Sequence, residues 1–189
     1  MSNVEIQPLT PDRWPDLEAL FGPRGAVGGC WCMWWRVTAS EWERNKGEPN
    51  RVAMRGIVEA GGNSGLLAYS NGAPVGWCSV APRPEYPRLQ RSRVLKPVDD
   101  KPVWAVVCFF IDRKHRGKGV GSELLLAGAE FARDRGARIL EGYPVEPRSG
   151  HMPDAFAYTG LPSMFLAAGF EEVERRSAGR PIMRKVLEG

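Results

Sequence analysis

The sequence is poor in the side chains that most often mark a metal or disulfide centre. It has two histidines, His115 and His151, and four cysteines, Cys30, Cys32, Cys78 and Cys108. Cys30 and Cys32 sit close together in "CWC", but no second close pair completes the four-ligand set of a structural zinc site. The thiols are therefore read as reduced residues of a core or pocket, and no metal is expected. No apolar run is long enough to span a membrane, and "MSNVEIQPLTPDRW" lacks the basic start and apolar stretch of a signal peptide. These absences lead to the expectation of a cytoplasmic protein with no membrane partner and no disulfides. Internal repeats and low-complexity linkers are also missing, so residues 1–189 read as one domain.

What is present is an ordinary globular balance, 43% hydrophobic and 25% charged, with a formal net charge of +4. The densest basic run, "RLQRSRVLK" from Arg88 to Lys96, lacks the interleaved aromatics of a base-stacking surface. It is read as a solvated loop, and no nucleic-acid partner is expected. A mild positive field suits a small polyanion.

"VEIQPL" alternates as a short first strand. "TPDRWPDLEALFG" offers Thr10 as N-cap, Pro11 at the first helical position and Gly22 as a stop. The loop "PRGAVGGCWCMWWRV" follows, then a helix across "EPNRVAMRGIVEAG". Asn71-Gly72 predicts a tight hairpin between "GLLAYS" and "PVGWCSVAP". The segment from Arg83 to Pro102 reads as a connection. "VWAVVCFFI" is apolar almost throughout, as a mid-sheet strand is. From Val120, apolar residues at Leu124, Ala127, Gly128, Phe131 and Ala132 share one helical face, ending near Gly136. "ARILEGYPV" predicts a strand, "LPSMFLAAGF" a short helix, and "FEEVERRS" with "RPIMRKVL" a final strand pair. The pattern is that of an α/β domain with a mixed sheet.

Between the long strand and the long helix stands "HRGKGVGSELLL", with Gly117, Gly119 and Gly121 at alternate positions. A helix N-terminus presents unpaired N–H groups and a partial positive charge, and glycines let a phosphate approach without meeting a Cβ. Arg116 and Lys118 add charge, so the stretch reads as a cradle for a pyrophosphate. Neither G-x-x-x-x-G-K-S/T nor G-x-G-x-x-G occurs there, which argues against a nucleoside-triphosphate loop or a dinucleotide turn.

"RGKGVG", Arg116 to Gly121, resembles the R/Q-x-x-G-x-G/A signature of the GNAT family of N-acetyltransferases, and "MFLAAGF" resembles that family's later Gly-Phe motif. The order of elements is similar along most of the chain. The resemblance implies a mostly antiparallel central sheet flanked by helices, and an acetyl group passed from acetyl-CoA to an amine; a small-molecule amine is the expected partner, with a peptide or protein N-terminus as the alternative acceptor. It implies that backbone groups of Phe109 and Ile111, beside Phe110, pair with the pantetheine arm. The amides of Gly117, Lys118, Gly119, Val120, Gly121 and Ser122 would hold the pyrophosphate, with Arg116 and Lys118 reaching its oxygens. A non-catalytic acyl-CoA-binding module and a homodimer are also compatible with it.

Two positions depart from the family pattern. Phe165 stands where many members carry a tyrosine acid, and "WAVVCFF" lacks their strand carboxylate. Glu141 is then the candidate base, since strand alternation sets it with Ile139 and Tyr143 among apolar neighbours. Tyr143, Tyr158 and Cys108 are candidate acids, and His151 a further option. In "GGCWCMWWR", Trp31, Trp34 and Trp35 are candidates for an aromatic acceptor wall suited to a flat, apolar or cationic amine. Arg83 or Glu85 is placed to meet the acceptor's charge.

Overall fold

The structure, a computed structural model, describes residues 4–147 and 157–188. Its centre is a seven-stranded sheet in the order β1-β2-β3-β4-β5-β7-β6. The strands are β1 (Glu5–Pro8), β2 (Leu66–Ser70), β3 (Ala73–Pro82), β4 (Trp104–Ile111), β5 (Ile139–Gly142), β6 (Glu171–Arg175) and β7 (Pro181–Val186). All neighbours are antiparallel except β4 and β5, which run parallel. The mixed, mostly antiparallel sheet thus has the architecture expected from the sequence. At the β2–β3 turn, Asn71 and Gly72 both take positive φ, 50° and 77°, as the tightest hairpin turns require.

Both faces of the sheet are covered. Helices α1 (Trp14–Phe21) and α3 (Glu48–Glu59) bury Leu17, Phe21, Met54 and Val58 against Leu67 and Trp77, and α2 (Ala39–Asn45) lies beside α3. On the same face, Leu89 of α4 (Pro87–Arg91) packs with Ala81, Ala105 and Val107. The other face carries α5 (Val120–Arg133) and α6 (Pro162–Ala167), with Leu124, Leu125 and Phe165 packed against Cys78, Val106 and Phe109. Cover on both sides explains why β4 is apolar along its whole length.

Two helices escaped the sequence reading. The first is α2, opened by a capping box in which Glu41 N–H donates to Thr38 Oγ1 and Thr38 N–H donates to Glu41 Oε2. "TASE" carries that T-x-x-E signal. The second is the five-residue α4, inside the stretch read as a connection.

Phe165 is completely buried, with its ring edge-on to Phe109 and Phe170. It lies on Gly142 so closely that a Cβ there would come within 2.1 Å of the ring. Gly142→Ala is expected to destabilise the fold by about 1–3 kcal/mol through overpacking. Chemical denaturation checks this, and an unchanged midpoint would contradict the packing described.

Candidate functional site

The parallel pairing of β4 with β5 runs only from Trp104↔Leu140 to Val106↔Gly142. Past Val106 the two strands part, while β4 stays paired with β3 as far as Gly76↔Ile111. The separation coincides with a bulge, because Ser79 faces Cys108 and Val80 faces Val106, leaving Val107 as the extra residue. Bulges of this kind bend a strand and re-aim its groups. A strand edge in mid-sheet needs other partners for its backbone. Phe109 N–H donates to the Tyr158 carbonyl at 2.6 Å, and Val145 N–H donates to the Gly160 carbonyl at 3.0 Å. The backbone group expected to meet a pantetheine arm therefore has a partner from the chain itself.

At the end of β4, Asp112 caps a short turn. Its carboxylate accepts from Lys114 N–H and meets His115 Nδ1, both at 3.0 Å, and the His115 bond is the main cause that holds its pKa below the ordinary range. Arg116 Nε donates back to the Ile111 carbonyl at 3.0 Å. Gly117 and Gly119 have φ of 70° and 85°, the left-handed region in which a side chain is disfavoured. No atom lies within 4 Å of where a Gly117 Cβ would sit. Gly117, Lys118 and Gly119 are exposed, and buried Val120 anchors the start of α5. The first-turn amides, which a helix cannot pair internally, thus open on solvent beside a cationic side chain.

On the α1 side of β4, where Phe21 joins Cys108 and Phe110 in the lining, lies an apolar pocket of about 300 Å³. Trp34, Trp35 and Trp42 form one wall, Phe109 and Phe110 the floor, and Cys30, Cys32, Cys108 and Tyr158 the remaining polar atoms. Trp34 and Trp35 are where an aromatic wall was expected. Trp31 is not in it: its ring stacks on Trp14 with centroids 6.0 Å apart, and it belongs to the core beneath α1. Among the lining residues not singled out from the sequence are Trp42 and the thiols of Cys30 and Cys32. The capping box could have placed Trp42 on a helix. For Cys32 the only signal was its place in "CWC", since its orientation depends on left-handed backbone at Trp31 and Cys32, φ 46° and 60°.

Glu141 and Tyr143 do share a face, but not this pocket. Both are completely buried. The Tyr143 hydroxyl donates to Glu141 Oε1 at 2.6 Å and accepts from Arg83 Nε at 3.1 Å, while Arg184 Nε donates to Glu141 Oε2 at 2.6 Å. Burial pushes the Tyr143 pKa well up, with the Glu141 charge adding to it. Glu141 is opposite Ala105, four residues before Phe109 on β4, a distance of about 13 Å along the strand. The reason for the difference is tertiary: Arg184 of β7 and Arg83 beyond β3 converge on the carboxylate and tie it into a buried network. Arg83 is committed to that network, and Glu85 is paired with Arg36 at 2.8 Å, so neither lines the pocket. Cys108 does line it, as does Cys32, whose Sγ accepts from Trp77 Nε1 at 3.2 Å. His151 lies outside the described residues. Among the described residues, no group of three or more His, Cys, Asp or Glu side chains is arranged to hold a metal ion, and no helix is long and apolar enough to cross a membrane.

The fold is shared with solved acetyltransferases. The PaiA N-acetyltransferase of Thermoplasma acidophilum, in complex with coenzyme A, superposes with a TM-score of 0.55 at 15% identity, over 97% of this chain and 99% of that one. A GNAT-family acetyltransferase of Streptococcus agalactiae gives 0.58 at 14% identity, over 98% and 96%. The ribosomal-protein-S18-alanine N-acetyltransferase of Escherichia coli gives 0.51 at 14%, over 98% and 95%. No curated protein matches the chain in sequence. The family model of the GNAT acetyltransferases matches residues 31–148, a span that contains the bulged strand, the glycine loop and the parting of β4 from β5; the chain belongs to the GNAT acetyltransferase family.

Proposed function

We propose that the protein passes an acetyl group from acetyl-CoA to the amine of a small molecule, by direct attack within a ternary complex. The observation that carries this reading is the exposed glycine turn Gly117–Gly119, opening α5 just after β4, the same strand whose Cys108, Phe109 and Phe110 line the apolar pocket. Such a turn suits a pyrophosphate. The backbone of Phe109 and Ile111 pairs with the pantetheine arm, Phe109 N–H exchanging the Tyr158 carbonyl for it. The thioester then lies over the pocket floor, where a backbone N–H directed at its oxygen stabilises developing charge. Trp34, Trp35 and Trp42 hold the acceptor's apolar body, which orients the amine for attack.

A second reading, an acyl-CoA-binding module without turnover, has specific support in the buried Phe165 and in a pocket without a carboxylate among its lining residues. Calorimetry with coenzyme A and acetyl-CoA, followed by thioester consumption over a panel of primary amines, separates the two. Binding with amine-dependent consumption supports the transferase. Binding without consumption favours the sensor, and absence of binding sinks both.

A further inference from the structure

The apolar pocket is short of hydrogen-bond acceptors. A buried polar atom is nearly always paired, so each exception calls for a reason. Five buried side-chain atoms have no partner among the described residues: Trp35 Nε1, Arg36 Nε, Trp42 Nε1, Ser64 Oγ and Arg88 Nη2. Three of them, all donors, belong to residues of the pocket or its rim. Trp35 and Trp42 are wall residues. Arg88 lies just outside, in an adjoining cleft that Trp34 and Trp35 also line. Its guanidinium stacks on Trp34, 3.7 Å from the ring centroid, and its Nε donates to the Trp34 carbonyl at 2.6 Å.

A second arginine comes from the turn between β6 and β7. Arg180 is half-buried, and its Nη1 donates at 3.3 Å to Oγ1 of Thr159, the residue after the pocket's Tyr158. Neither Arg88 nor Arg180 meets a carboxylate among the described residues, whereas Arg36, Arg83 and Arg184 each pair with a glutamate. Burial lowers the pKa of Arg88 and Arg180, but a guanidinium keeps its charge in a protein. Both charges reach the Tyr158 hydroxyl, where they oppose the burial that pushes its pKa up to about 12. Two cations without a counter-charge thus stand beside a wall with unpaired indole N–H groups. Holding a charge away from water is costly unless an opposite charge meets it. The missing complement is an anion with more than one acceptor oxygen.

We propose that Arg88 and Arg180 form an anion subsite at the apolar pocket, and that the acceptor is an apolar amino acid, its carboxylate held by the two guanidinium groups and its side chain among Trp34, Trp35 and Trp42. This rests on the transferase reading above and narrows its small-molecule amine. A carboxylate fits because its two oxygens match the fork of a guanidinium and accept from several donors at once. The pocket, at about 300 Å³, is at the small end for ligand sites and suits a ring the size of phenyl or indole. An amine without an acid would fill the apolar volume and leave both cations unpaired.

The probe for binding without turnover is 3-phenylpropionate, which has the ring and the acid but no amine. Calorimetry on the whole protein is expected to show it binding, with 3-phenylpropanol at least about tenfold weaker. With acetyl-CoA, L-phenylalanine is expected to exceed both phenethylamine and L-phenylalaninamide by about ten- to a hundredfold in kcat/KM. Those two keep the amine and the ring and lose the negative charge. In Arg180→Gln and Arg88→Gln the preference should collapse towards unity, mainly through KM for phenylalanine, and Arg180→Lys should restore part of it. Arginines with a structural role alone would lower the turnover of all three acceptors alike and keep their ratio, which would overturn the proposal. Equal affinity for the acid and the alcohol would overturn it too, as would a parent chain that acetylates phenethylamine or the amide as well as phenylalanine. If Arg88→Gln does not fold by circular dichroism, Arg180→Gln reads the same subsite. A parent chain that binds no coenzyme A would instead defeat the transferase reading. Phenylpropionate binding is measured without the coenzyme, which keeps the two failures apart.

Discussion

Gly119→Asp is expected to bind coenzyme A at least about a thousandfold more weakly than the parent chain, with the fold retained. Gly119 caps α5 at φ 85° and ψ −3°, and with Gly117 and Lys118 it is exposed. A carboxylate there would occupy the anion's position, accept the first-turn amides itself and repel the diphosphate. Charge-assisted hydrogen bonds contribute about 1.5–3 kcal/mol each, so the loss of two of them already reaches the thousandfold scale. Aspartate is among the residues that tolerate left-handed backbone, which limits the structural penalty. Gly119→Asn is the control, since it matches the bulk and backbone preference without the charge and should retain most of the affinity. Calorimetry with coenzyme A decides the matter: equal, near-parental affinity in both variants would remove the cradle from the binding site.

Glu141→Ala is expected to lower stability by about 3–5 kcal/mol, the usual result when one partner of a buried charge network is removed. It would leave Arg184, Arg83 and the Tyr143 hydroxyl without their shared, completely buried acceptor. Activity per folded molecule is expected to stay within a few-fold of the parent. A catalytic base at this position would give the opposite pattern, normal stability with a rate loss of about 10²–10⁴. Denaturant unfolding and turnover measured on the same preparations separate the two roles.

The long strand and the glycine loop were legible because their signals are local. A continuous apolar run, three glycines and an amphipathic face follow one another within thirty residues, and the Asn71-Gly72 hairpin is set by its own two backbone angles. The faces of β5 were legible for the same reason, and Glu141 and Tyr143 do meet. Alternation does not reveal which partners reach that face from elsewhere. Arg184 comes from β7 and Arg83 from the turn after β3, and together they hold the carboxylate in a buried network away from the apolar pocket. The aromatic loop was divided for a similar reason. Trp34 and Trp35 face the pocket while Trp31 turns into the core, because the backbone reverses hand at Trp31 and Cys32. No propensity encodes that reversal in residues with side chains.

The Tyr158 carbonyl on Phe109 N–H has a meaning outside catalysis. Where two parallel strands part, the chain would otherwise display an unpaired ribbon of amides in mid-sheet, the kind of template onto which a stray strand from another molecule can zip. By lending the Tyr158 carbonyl to Phe109 N–H, the chain fills one place of that template with its own backbone, which leaves a foreign strand one fewer amide to seize.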